Sequence, residues 1–266
     1  MPVRALLPAD LDESWSLLTA PTPLARVSGW DSPMAGVRGG FRQPVIEERV
    51  DRERLVIRWP TSIGAVVDTV EVAEHDQGTA LTWSLAGDPP ARDYDLDDVA
   101  YVRAWRLHDI LAQRPWTDPQ DYAAPVRRRI TRSLHIQAPP ERVWQVLTQP
   151  ESVATWLSGA VGKLELHEGG TFDTGWRSPD GLQTGPGRVL KLQEHRLLET
   201  TWCLWGSDPT DSVLSLLLDG RGGGTRLTLH HGPWPDDWDA CGYALGWLCC
   251  LLTIRSLAED NPAVQP

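Results

Sequence analysis

Residues 236–258 read DDWDACGYALGWLCCLLTIRSLA, with three carboxylates (Asp236, Asp237, Asp239), fifteen uncharged residues from Ala240 to Ile254, and then Arg255. Negative charge suits a helix N-terminus and a cation suits its last turn. Fifteen uncharged residues are too few to cross a bilayer, which takes about 20. A helix that is apolar all round is a buried one. The stretch therefore predicts a long C-terminal helix, Asp236–Ala258, capped by its carboxylates and laid on a sheet.

Upstream lies the material for that sheet. Thr225–His231, Val213–Leu218, Leu197–Leu204, Arg188–Gln193 and Gly169–Arg177 read as strands around glycine-rich turns. Before them come a helix start at Pro139–Leu147, a break at Pro150 and a short strand at Ser133–Gln137. The first half of the chain has the same order. Residues 10–18 predict a short helix with Asp10 as cap and Glu13 three residues on. Val45–Trp59 predicts two strands joined by a charged turn, Val66–Val72 and Thr79–Leu85 a hairpin, and Asp95–Gln113 an amphipathic helix. Residues 114–126 carry three prolines and no periodicity, as a linker does.

The halves align at four collinear anchors. Trp15-Ser-Leu-Leu-Thr matches Trp144-Gln-Val-Leu-Thr, Trp59 matches Trp202 with Leu55 against Leu198, Gly78-Thr-Ala-Leu-Thr matches Gly224-Thr-Arg-Leu-Thr, and Tyr101 and Trp105 match Tyr243 and Trp247. This predicts an internal duplication: a divergent, shortened domain at 1–114, a linker at 115–129, and a domain with the more complete cavity at 130–266.

Composition narrows the function. The net charge of -11 is spread evenly over the halves, so neither is a basic module and nucleic acid is not an expected partner. No run is long enough for a signal peptide or a membrane span, and the expected location is cytoplasmic. Cys203, Cys241, Cys249 and Cys250 lack metal-ligand spacing and read as buried thiols. No metal or cofactor is expected. Gly220–Gly224 has no following lysine and reads as a hairpin turn, not a phosphate loop. Tryptophan is the outlier, with 14 residues against two Phe. Such side chains fill cores or line a pocket for a flat ligand.

The order of motifs in the second half resembles the START-like (SRPBCC) superfamily. APPERVWQVLTQPESVATWL, Gly169-Gly-x-Phe172, GRVLKLQEHRLLETTW, GGGTRLTLHHG and Gly246-Trp247 are closest to the branch named for Aha-type activators of the heat-shock ATPase. The resemblance covers about residues 130–258, and reaches residues 1–114 mainly through the repeat. It implies an α+β fold of two tandem helix-grip domains, each a curved antiparallel sheet around a long C-terminal helix. Members include lipid carriers, polyketide cyclases, chaperone activators and self-resistance proteins of enediyne clusters.

Strand alternation puts Leu227, Leu229 and His231 on the face toward the helix and Arg226, Thr228 and His230 on the other. Two readings stand open for His231, a strand-end histidine bonded to nearby backbone, or a group that contacts ligand. Its first-half equivalent is Leu85, and that of Leu229 is Trp83, so the first cavity is expected to be more filled and less polar. The candidate ligand-binding residues are Trp156, Phe172, Trp176, Trp202, Leu216, Leu229, His231, Trp234, Tyr243 and Trp247, with Trp238 also at the rim. Core packing is the competing reading for each tryptophan. The leading function is binding of a hydrophobic, polycyclic aromatic small molecule, for sequestration or self-resistance. The alternatives are a polyketide aromatase or cyclase, with His231 and Tyr243 moving protons, and a chaperone activator. Finally, Arg103, Arg106 and Gln113 read as the outward face of the first long helix. The matching positions in the second are Leu245, Leu248 and Arg255, which predicts an interdomain or homodimer contact through Leu245 and Leu248.

Overall fold

A computed structural model describes residues 2–19, 45–60, 64–88, 95–114, 126, 128–157, 159, 162–203, 212–236 and 240–265. The chain forms two compact units. The first holds residues 1–125, 241–249 and 262–266, and the second holds 126–240 and 250–261.

In the first unit, β1 (Val3–Leu7), β2 (Val45–Val50), β3 (Arg54–Pro60), β4 (Ala65–His75), β5 (Gly78–Gly87) and β13 (Val264–Gln265) form one antiparallel sheet in the order β13-β1-β5-β4-β3-β2. Helix α1 (Leu11–Thr19) precedes β2, and α2 (Leu96–Leu111) packs on β1 and β5. The inner face alternates as a half-buried strand should, with Leu55, Ile57, Val66, Val70, Leu81 and Trp83 all buried. Asp10 caps α1 through Glu13 N–H at 2.9 Å, and Asp95 caps α2 by accepting from Asp97 N–H at 2.8 Å. Strands β1 and β13 were not anticipated from sequence. Both are too short to carry a periodic signal, and β13 forms only because residues beyond the last helix pair with β1 at Arg4–Gln265 and Ala5–Val264.

The second unit repeats the plan. Strands β6 (Ile130–Ile136), β9 (Gly185–Gln193), β10 (Leu197–Cys203), β11 (Ser212–Arg221) and β12 (Gly224–Gly232) form an antiparallel sheet in the order β6-β12-β11-β10-β9. Two short helices, α3 (Pro140–Thr148) and α4 (Pro150–Trp156), follow β6. A two-stranded ribbon, β7 (Lys163–Leu164) with β8 (Phe172–Asp173), lies before β9. The last helix, α5 (Cys241–Ala258), contributes Cys250–Ala258 to this unit and Cys241–Cys249 to the first. The fold is α+β, and the five strands β1-β5-β4-β3-β2 correspond in order to β6-β12-β11-β10-β9.

The shared sequence anchors have shared physical reasons. A Cβ on Gly78 would meet the Leu7 carbonyl oxygen at 2.0 Å, and one on Gly224 would meet that of Ile136 at 2.6 Å, so both strands can start only with glycine. The next residue does the same task in each. Thr79 Oγ1 donates to the Ala9 carbonyl at 2.9 Å, and Thr225 Oγ1 donates to that of Ala138 at 2.7 Å. In the first helix of each unit, Thr19 bonds back to the Trp15 carbonyl at 2.8 Å and Thr148 to that of Trp144 at 2.7 Å.

Two expectations are corrected. Helix α5 begins at Cys241, with Ala240 as N-cap and no side-chain cap bond. Asp236 instead forms an exposed ion pair with Arg128 at 2.8 Å, while Asp237 and Asp239 lie outside the described residues. Arg103 does not face water: it is 1% exposed and bonded to Asp68 on β4, because the carboxylate on that strand gives it a buried partner. Leu245 and Leu248 are each 1% exposed within the single chain.

Candidate functional site

The inner faces of the two sheets can be compared rung by rung from their strand registers. In the first unit Ile57, Asp68 and Leu85 lie side by side across β3, β4 and β5. The matching rung of the second unit is Thr200, Leu214 and His231 across β10, β11 and β12. The polar group sits on the central strand in one unit and on both flanking strands in the other. One rung further along, Trp59 opposite Val66 matches Trp202 opposite Ser212.

The first unit closes its polar group on itself. Arg103 Nη1 of α2 donates to both Asp68 carboxylate oxygens, at 2.6 and 2.5 Å, and Trp59 Nε1 donates to the same carboxylate at 2.9 Å. The guanidinium lies 5.9 Å from the Trp59 ring centroid and 6.0 Å from that of Trp83. Burial pushes the Asp68 carboxyl up, and the Arg103 charge with the Trp59 bond pulls it back down. The interior of the first unit is not less polar, as it contains a fully buried ion pair.

The second unit gathers aromatic rings around His231. Trp176 meets Trp202 edge-on at 6.0 Å between centroids, Trp202 meets His231 at 5.0 Å, and His231 meets Trp234 at 4.2 Å. Ser212 Oγ and His231 Nε2 share a hydrogen bond of 3.1 Å, and Ser212 Oγ also donates to the Trp202 carbonyl at 3.4 Å. His231 therefore bonds to a side chain across the sheet. It is fully buried, and burial holds its imidazole down at about 3. It is neutral at neutral pH.

Of the sequence candidates, Trp176, Trp202, His231 and Trp234 come together in this row. Leu216 and Leu229 are partners in adjacent strands and form the apolar floor beside it. Trp156 is buried and donates to the Val146 carbonyl at 3.1 Å, a bond that ties α4 to α3. Phe172 is buried in β8. Tyr243, half-buried, and Trp247, buried, lie on the half of α5 that belongs to the first unit. Trp238 lies outside the described residues. Ser212, Thr174 and Thr184 were missed from sequence. Their hydroxyls carry no motif, and only the strand register shows that Ser212 sits diagonal to His231.

Two other features border this chemistry. A hollow of about 280 Å³ opens on the outer face of the same sheet, lined by Arg129, Glu199, Val213, Ser215, Leu217, His230, His231 and Gly232. Its polar groups are partly self-satisfied, since Ser215 Oγ donates to Glu199 at 2.8 Å and Thr131 Oγ1 meets His230 Nδ1 at 3.0 Å. Among the described residues no group of His, Cys, Asp and Glu is placed to hold a metal ion. No described helix is long and apolar enough to cross a membrane.

An antiparallel sheet followed by a long C-terminal helix is the α+β arrangement of START-like, helix-grip proteins. Residues 137–259 match the family model "Activator of Hsp90 ATPase homolog 1-like protein". Among solved structures, protein MLL2253 from Mesorhizobium loti is 27% identical with a TM-score of 0.43, the match covering 50% of this chain and 98% of that one. The Aha1 dimer from Colwellia psychrerythraea is 20% identical with a TM-score of 0.42, covering 50% and 98%. CalU16 from Micromonospora echinospora is 24% identical with a TM-score of 0.39, covering 51% and 86%. No curated protein matches the chain.

Proposed function

We propose that the second unit binds a hydrophobic, polycyclic aromatic small molecule against the inner face of its sheet. The observation that carries this reading is the row Trp176–Trp202–His231–Trp234, in which two indoles meet one neutral imidazole and a third indole extends the row from Trp202. Flat apolar rings stack on such a surface and gain both burial and edge or face contacts. The first unit holds the Asp68–Arg103 ion pair in the corresponding place, and the two units descend from one duplicated domain. Sequestration of the ligand, as in self-resistance, is the role that requires no further chemistry.

A cyclase reading needs His231 to move a proton, and a general base works best when its pKa lies near the working pH. An imidazole held at about 3 is a weak base there, which favours binding over catalysis. Titration with fluorene, anthracene and pyrene tests the proposal through intrinsic tryptophan emission. Quenching that saturates is the expected result. Unchanged emission with all three would contradict it.

A further inference from the structure

Three buried hydroxyls stand around the Trp176–Trp202 pair. Thr174 and Thr184 are 1% exposed and Thr200 is 2% exposed, and Oγ1 of each is without a hydrogen-bond partner. Thr200 sits two residues before Trp202 on the same face of β10. Thr174 Oγ1 and the Trp176 ring both lean over Gly185, at 3.6 and 2.8 Å from where its Cβ would be, and Thr184 is its chain neighbour. Folded proteins pair nearly all such groups, because an unsatisfied buried hydroxyl costs stability and gains nothing for the fold. In the equivalent place of the first unit Thr200 is replaced by Ile57, which packs without any such cost. The second unit thus holds donors that its fold does not use.

Resting on the binding reading above, we infer that the ligand is an oxygenated aromatic, a ketone or phenol, whose oxygen pairs with the hydroxyls of Thr174, Thr184 and Thr200. A hydrocarbon of the same shape would fill the aromatic surface and leave these groups unpaired. A threonine hydroxyl can donate to a carbonyl or accept from a phenol, so one site serves both. The oxygens are closed off from solvent, and the ligand reaches them by displacing the stretch from Thr174 to Thr184. That stretch is held by an isolated bridge at Arg177–Gln183, a turn in which Ser178 N–H donates to the Leu182 carbonyl at 2.8 Å, Thr184 N–H donating to the Trp176 carbonyl at 3.2 Å, the Arg177–Asp173 ion pair at 2.8 Å and Gln183 Nε2 donating to the Pro186 carbonyl at 2.8 Å. Most of these bonds lie within the stretch or at its start, so it opens as a unit once the Gln183–Pro186 bond is released.

Fluorenone and fluorene differ by one carbonyl oxygen and test the inference by calorimetric titration. Fluorenone should bind the intact protein about three- to tenfold tighter, the range of one net hydrogen bond. Thr200→Val, and Thr174→Val with Thr184→Val, should remove that preference while leaving fluorene affinity unchanged. Thr200→Ser should keep it. The unliganded valine variants should melt at or above the wild-type temperature. Equal affinity for both probes, unaltered by the valines, would overturn the inference and leave the binding reading standing. Binding of neither would overturn both. Valine variants that melt several degrees lower would also overturn it, because the hydroxyls would then have partners, such as ordered water, in the unliganded protein.

Discussion

Asp68→Leu alone should destabilise the first unit by about 3–5 kcal/mol, because it leaves the Arg103 guanidinium buried with its carboxylate partner gone. The loss is not the worth of the ion pair. Asp68 and Arg103 are each 1% exposed, and taking both out of water is costly enough to offset most of their attraction. Arg103→Leu alone should cost a similar amount by orphaning Asp68, whose carboxyl is already pushed up by burial. The double variant removes both charges and should recover most of the loss, leaving a core lined by leucine, Trp59 and Trp83. Urea unfolding of the four proteins gives the coupling directly. Additive losses in the double variant would show that the two groups are not paired in solution.

The second large effect is a dependence on pH. His231 is held at about 3 in the folded chain by burial, against 6.5 for an imidazole in water. Above 6.5 the imidazole is neutral in both states and its contribution to stability is fully present. As pH falls below 6.5 the unfolded chain takes up a proton that the folded chain refuses, and stability is lost at about 1.4 kcal/mol per pH unit. At pH 5 the loss is roughly 2 kcal/mol. His231→Leu installs the residue that the first unit has at this position, and should flatten the slope. Asp98 acts in the opposite direction. Burial, then the charges of Asp95 and Asp97, raise it to about 6 despite a hydrogen bond with Cys249. Its folded form therefore prefers the proton, and this contribution grows as pH falls through 6. The raw profile mixes the two groups, so the informative quantity is wild type minus His231→Leu between pH 7 and 5. A difference that does not change with pH would contradict the buried neutral imidazole.

Much of the fold was legible because the repeated anchors are tasks, not resemblances. Gly78 and Gly224 mark strands that approach a neighbouring carbonyl too closely for any side chain. Trp59 and Trp202 hold the same rung of their sheets, and the last helix follows from a run of uncharged residues. The alternation that places His231 inward and His230 outward also holds. What sequence could not supply was the partner of each inward polar group. Arg103 looks like a solvent-facing residue until the register puts Asp68 on the rung facing α2. His231 looks ambiguous until Ser212 arrives from the adjacent strand. The extent of α5 was overread at its start, since Asp236 has a cation partner in Arg128 and is not needed as a cap. Strands of two residues, such as β7, β8 and β13, exist only through their partners and leave no periodic trace.

Fluorine NMR of protein labelled with 5-fluorotryptophan, titrated with fluorenone, tests most directly whether the ligand sits on the second sheet. With resonances assigned from single Trp→Phe variants, those of Trp176, Trp202 and Trp234 should shift together and saturate. Those of Trp59, Trp83 and Trp105, which belong to the first unit, should stay in place. Shifts confined to the first unit, or none at saturating fluorenone, would contradict it.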